Sequence, residues 1–127
     1  NDFSPLARAI IDAPALLVIL SGPLGVGKTT LTQTIATLLG SQASVSSPTY
    51  TLIHEYPTPQ GLLIHMDAYR LSSAQALFEL GLEDYLERAR LVVIEWGEGL
   101  LRSFPEAVLV KLEFIGDSRM ATIEFQE

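Results

Sequence analysis

Five apolar residues, Leu16-Leu17-Val18-Ile19-Leu20, run almost directly into Gly22-Pro23-Leu24-Gly25-Val26-Gly27-Lys28-Thr29, and after Lys28 the residues Leu31, Ile35, Leu38 and Leu39 recur at helical spacing. The first run reads as a buried strand and the last as the apolar face of a helix, which Gly40 is placed to end. Between them the pattern G-x-x-x-x-G-K-S/T is complete. Its glycines let successive backbone N–H groups point inward at phosphate oxygens. A strand that turns through such a loop into a helix N-terminus presents that helix's dipole to an anion. A glycine-rich turn that binds nothing is the bland alternative, and the flanking strand and helix argue against it.

Lysine usage sharpens this reading. The chain has only two lysines, Lys28 and Lys111, and one of them stands at the phosphate-contacting position. Lys28 would add a point charge for the β- and γ-phosphates, and the Thr29 hydroxyl is of the type that ligates Mg²⁺ in such loops.

A chain of 127 residues suits one compact domain, residues 1–127, that buries about two-thirds of the surface its unfolded form exposes. Apolar residues make up 48%, which fits a globular protein rather than a disordered one. No apolar stretch approaches the roughly 18 residues of a membrane span, and no signal peptide is visible. The lack of cysteine removes disulfides and thiolate metal sites and suits a reducing cytoplasm. The net charge is −7 and the arginines are scattered; Arg88 and Arg90, the nearest approach to a cluster, stand beside Glu83, Asp84 and Glu87. Tight nucleic-acid binding needs clustered Lys and Arg, so this chain is not expected to hold RNA or DNA strongly by itself.

Along the chain, Leu6, Ala9, Ile10 and Ala13 predict a short helix over 3–13. Ser41 to Pro48 reads as a loop, Thr49 to Tyr56 as a strand, and Pro57-Thr58-Pro59-Gln60-Gly61 as a five-residue hairpin turn into a second strand at 62–66. Ser72 or Ser73 is placed to cap a helix carrying Ala76, Leu77 and Leu80, and a further short helix is expected over 83–88. Leu91-Val92-Val93-Ile94 reads as a buried parallel strand. Alternation at Val108, Val110, Leu112 and Phe114, the Gly116-Asp117 turn and the stretch from Met120 to Phe125 predict a closing hairpin. The expected architecture is α/β: a P-loop NTPase fold whose mixed sheet is parallel at its centre and antiparallel at its hairpins, with helices on both faces.

Two carboxylates end apolar strands. Glu95 closes Leu91-Val92-Val93-Ile94, which would carry it to the sheet edge beside the phosphate loop, where it can hold Mg²⁺ directly or through water. The plainer reading is an acid capping a buried strand. Asp67 lies where strand pattern gives way to loop in His65-Met66-Asp67-Ala68-Tyr69-Arg70. It could orient a water, accept its proton or bind Mg²⁺ in the outer shell; equally, Asp is a common turn residue. His65 reads as a structural hydrogen-bonding residue, and with only His54 as companion there is no histidine metal cluster. Thr49 follows the Ser-rich loop and could close over a γ-phosphate and Mg²⁺, or simply start a strand. Trp96, the only tryptophan, is either core, a neighbour of the nucleotide or a partner-docking residue.

Together these segments are more specific than any one. Gly22-Pro23-Leu24-Gly25-Val26-Gly27-Lys28-Thr29-Thr30, Ser47-Pro48-Thr49-Tyr50, His65-Met66-Asp67-Ala68-Tyr69-Arg70, Phe78-Glu79-Leu80-Gly81 and Ile94-Glu95-Trp96 occur in this order over almost the whole chain. The sequence resembles the bacterial tRNA threonylcarbamoyladenosine-biosynthesis ATPases of the TsaE (YjeE) type. The resemblance implies an ATP- and Mg²⁺-dependent P-loop ATPase acting with TsaB and TsaD in the N6-threonylcarbamoylation (t6A) of adenosine 37 in ANN-decoding tRNAs, with tRNA met through that complex. By position it implies that Gly25, Val26, Gly27, Lys28, Thr29 and Thr30 cradle the phosphates. Thr29 and Glu95 would ligate Mg²⁺, Thr49 would belong to a switch-like segment, Trp96 would border the nucleotide, and Asp67 with Lys28 would serve hydrolysis. Part of the adenine contacts would lie before Asp2 and are not assigned.

Two other readings share the loop. A small-molecule or nucleoside kinase would need an Arg-rich lid, for which only Arg88, Arg90 and Arg102 are available. A nucleotide-sensing module without turnover fits the absence of a second acid next to Glu95. No Asn/Thr-Lys-x-Asp guanine signature occurs, which disfavours a GTPase.

Overall fold

The computed structural model describes residues 3–13, 16–22, 28–41, 53–67, 81–95, 107–116 and 118–125, with the backbone alone for Thr29, Asp67, Ser118, Arg119 and Phe125. In chain order the elements are α1 (Ser4–Asp12), β1 (Leu17–Ser21), α2 (Lys28–Leu38), β2 (Ile53–Thr58) and β3 (Gly61–Asp67). Then come α3 (Leu82–Arg88), β4 (Ala89–Glu95), β5 (Val108–Ile115) and β6 (Ser118–Phe125). The strands form one six-stranded sheet in the order β2-β3-β4-β1-β5-β6. β3, β4, β1 and β5 run parallel, and β2 and β6 pair antiparallel at the two edges. The expected mixed sheet is therefore the observed one.

Parallel strands need both faces covered, which is why β1 and β4 carry near-continuous apolar runs rather than alternation. Val18, Leu20, Leu63, Leu91, Val93, Val108 and Val110 turn to one face, where they pack with α1 and α2 through Ala7, Ile10, Leu31, Ile35 and Leu39. Leu17, Ile19, Ile64, Met66, Val92 and Ile94 turn to the other, under Leu82, Tyr85 and Leu86 of α3. Helices thus lie on both faces.

Helix α2 is rich in threonine, a β-branched residue with modest helix preference. Two of its hydroxyls bond back within the helix, Thr32 Oγ1 to the Lys28 carbonyl and Thr34 Oγ1 to the Thr30 carbonyl. Packing of Leu31, Ile35 and Leu39 therefore holds it more than propensity does. It ends as expected at Gly40, whose φ of 91° is left-handed. The Gly40 N–H reaches the Thr37 carbonyl and the Ser41 N–H that of Ala36, a Schellman termination.

The β2–β3 turn is tighter than the sequence suggested. Strand pairing continues through Pro57↔Leu62 to Thr58↔Gly61, leaving only Pro59 and Gln60 in the turn. Pro57 is tolerated because β2 is an edge strand, where a missing N–H breaks no ladder. Thr58 Oγ1 closes the turn by donating to the Gly61 carbonyl at 2.6 Å and accepting the Gln60 N–H at 3.1 Å. The expected Ser72/Ser73-capped helix lies outside the described residues.

Gly61 has φ of 124°, and a Cβ placed there would come within 2.7 Å of Arg90 Cβ. Arg90 in turn donates to the Ile11 carbonyl at the end of α1. Gly61→Ala combines a strained backbone with a clash near the main chain, and is expected to lower stability by about 1–3 kcal/mol. A urea unfolding midpoint close to that of the wild type would contradict this.

Candidate nucleotide site

Three strands bring the site together by pairing alone. β1, β4 and β3 are parallel neighbours, so their C-terminal ends share one edge of the sheet. In register, Leu20 stands opposite Glu95 and Glu95 opposite Asp67. Leu20 and the residues two apart from it in register turn to the α1/α2 face, so Glu95 and Asp67 are backbone positions on the face that carries α2. β1 ends at Ser21, and α2 starts at Lys28. The loop predicted to cradle phosphate thus connects the end of the strand beside Glu95 to the helix packed on the same face.

Lys28 is 5% exposed, and its Nζ donates to the Gly22 carbonyl at 2.6 Å. The ammonium is folded back over the start of the loop instead of pointing into solvent. Gly22 has φ of 150°, a value that favours glycine at the point where the chain leaves the strand. No acidic residue lies in the first turn of α2, whereas α3 carries Glu83 and Asp84 in its own first turn. The dipole of α3 is met by its own carboxylates, whereas the first turn of α2 carries none.

Glu95 is 6% exposed and accepts a hydrogen bond from His65 Nε2 through Oε2 at 2.6 Å. His65 is fully buried; it pairs in register with Val93, one diagonal step from Glu95 on the same face. A carboxylate can only accept, which places the ring proton on Nε2. Nδ1 has no hydrogen-bond partner among the described residues. The directly opposed residue on β2 is His54, whose Nδ1 lies 2.9 Å from the Tyr56 hydroxyl.

The donor chemistry fits a hard divalent cation: Glu95 is a carboxylate held at the strand end with one oxygen already hydrogen-bonded, as ligating carboxylates commonly are. Among the described residues no group of three or more His, Asp or Glu side chains forms a metal cage by itself. Lys28, Glu95 and the backbone positions of Thr29 and Asp67 are thus brought to one end of the sheet. Thr30 is instead exposed on α2, lining an open groove of about 280 Å³ with Ser4, Gln33, Thr34 and Thr37. Gly25, Val26, Gly27, Thr49 and Trp96 lie outside the described residues. Sequence reasoning gave His65 a structural hydrogen bond but did not name its partner. The sequence does show that His65 and Asp67 are two apart on one strand and so share a face; the alignment of Asp67 with Glu95 comes from the register of β3 on β4.

The family model described as "Threonylcarbamoyl adenosine biosynthesis protein TsaE" matches residues 1–122. The chain belongs to the TsaE family. Among curated relatives, the TsaE of Haemophilus influenzae is 41% identical over 118 residues, covering 92% of this chain and 75% of that protein. The Rickettsia bellii TsaE is 38% identical over 108 residues, covering 84% and 74%. The TsaE of Treponema pallidum is 37% identical over 102 residues, covering 80% and 75%. Among solved structures, Bacillus subtilus YdiB superposes with a TM-score of 0.67 at 28% identity, covering 98% of this chain and 80% of that one. The P-loop fold and TsaE membership thus rest on sequence and structure together. Among the described residues, no helix is long and apolar enough to cross a membrane.

The His65–Glu95 pair is buried, so removing one partner strands the other. Glu95→Leu alone is expected to cost about 1–3 kcal/mol, the usual penalty for a buried polar group left unpaired. The double replacement His65→Leu with Glu95→Leu is expected to recover that loss. Denaturant melts of the two single variants and the double variant form the cycle, and purely additive losses would contradict the pairing.

Proposed function

We propose that this chain is a single-domain, Mg²⁺-dependent P-loop ATPase of tRNA t6A biosynthesis, working in the cytoplasm with TsaB- and TsaD-type proteins. The observation that carries the ATPase reading is the alignment of Leu20, Glu95 and Asp67 across β1, β4 and β3, at the sheet edge where Lys28 opens α2. The pathway reading is supported by the names of the relatives, each a "tRNA threonylcarbamoyladenosine biosynthesis protein TsaE". The acidic balance, −7 over the chain, supports a division of labour in which partners hold the tRNA.

In this reading the chain contributes position and charge, which is most of what phosphoryl transfer asks of a protein. Backbone N–H groups of Gly25, Val26 and Gly27 and the start of α2 at Thr29 and Thr30 meet the phosphates. Lys28 releases the Gly22 carbonyl to contact the β- and γ-phosphates. Glu95 and the Thr29 hydroxyl would hold the cation, which when bound would supply positive charge to offset that of the phosphates. Asp67, next to Glu95 in register, orients the attacking water and receives its proton. Thr49 and Trp96 flank the bound nucleotide.

Lys28→Ala is expected to remain folded and to lose binding of a fluorescent ATP analogue; wild-type affinity in a folded variant would overturn the site. Asp67→Asn is expected to keep that binding while steady-state phosphate release falls by about 100-fold or more, the range for loss of a general base. Retained turnover would make Asp67 structural. Partner dependence is tested by phosphate release from the chain alone, with small acceptors, and with TsaB, TsaD and tRNA. Stimulation by the partners alone is expected, and transfer to a small acceptor would point to a kinase.

A further inference from the structure

Burying an imidazole costs free energy unless its polar atoms are paired. His65 is fully buried on β3, between Leu63 and the Asp67 position on the α1/α2 face, and the hydrogen bond from Nε2 to Glu95 Oε2 is the one it makes among the described residues. Its Nδ1 is left without a partner there. An apolar side chain would satisfy the packing at this position at less cost, as Leu63 and Leu91 do nearby. What the imidazole adds is a directional N–H aimed at one oxygen of one carboxylate.

We propose that His65 is a positioning residue for the cation: by engaging Oε2 it fixes the Glu95 carboxylate and leaves Oε1 as the oxygen offered to the metal. The inference rests on the reading of Glu95 as a metal ligand. One oxygen is the contribution that Mg²⁺, with its octahedral demand, takes from a carboxylate, whereas the larger Ca²⁺ accommodates both oxygens of one group. His65 thereby bears on which divalent cation the site prefers as well as on how tightly it binds. Hydrogen-bonding partners of ligating carboxylates and histidines elsewhere typically change metal affinity about 10- to 100-fold when removed.

The test is metal binding without turnover. Mn²⁺ affinity is read by electron paramagnetic resonance in the presence of a non-hydrolysable ATP analogue, with Ca²⁺ as competitor, and analogue affinity is read separately in chelator. His65→Leu is expected to bind the analogue in chelator within about twofold of wild type. It is also expected to lose about 10- to 100-fold in Mn²⁺ affinity and to discriminate less against Ca²⁺. A folded His65→Leu protein with wild-type Mn²⁺ affinity and selectivity overturns the proposal. His65→Gln, whose amide N–H can take the place of Nε2, is expected to recover most of the affinity. His65→Asn places its amide where Nδ1 stands and is expected not to recover it. Equal affinity in the Gln and Asn variants overturns the proposal even if His65→Leu does not fold. Glu95→Gln separates the two levels. If it leaves Mn²⁺ affinity unchanged, Glu95 is no ligand and the underlying reading fails; if it abolishes binding while His65 variants match wild type, only the role of His65 fails.

Discussion

Parallel pairing of β1 with β4, and of β4 with β3, is the constraint from which the candidate site follows. Parallel neighbours finish at the same edge of a sheet, and period-two alternation then decides which of their last residues share a face. With Leu20, Glu95 and Asp67 in one register row, two carboxylate positions and the start of the phosphate loop are neighbours before any side chain is considered. A one-residue slip of β4 against β1 would turn Glu95 to the α3 side and put an apolar residue in its place. The fully apolar runs Leu17 to Leu20 and Leu91 to Ile94 bury both faces and so hold the strands centrally, while the acid at the end of β4 marks which way the register must fall.

The two faces of the sheet are not equivalent. Under α3 the described core is apolar throughout. Under α1 and α2 the apolar layer ends, toward the C-terminal edge, in Thr32, Lys28, His65 and Glu95, all buried. A buried ion pair or polar network rarely stabilises a domain as well as hydrocarbon of the same volume would. The stability given up on this face is the sort of local inconsistency that sequences retain where they do chemistry.

Much of this was legible in advance because the decisive signals are local. The run Leu16 to Leu20, the helical recurrence to Leu39 and the glycine at 40 each follow from backbone sterics or periodicity within a few residues. The same holds for Glu95 at the end of an apolar strand and for the Gly116 turn, where φ is 58°. What escaped was relational. The tight turn at Pro59-Gln60 depends on β2 being an edge strand, which no single segment reveals. The His65 partner depends on the register between strands separated by 30 positions. Asp67 illustrates the middle ground: its place at a strand end was readable, and its adjacency to Glu95 needed the sheet.

The hydrogen bond from Lys28 to the Gly22 carbonyl has a consequence for how strongly a phosphate can be held. An ammonium already satisfied by the protein's own main chain cannot count its full attraction to an incoming anion as a gain. Capture becomes an exchange of one acceptor for another, and net affinity is the difference between the two. The contact also keeps the charge of a lysine only 5% exposed paired within the protein.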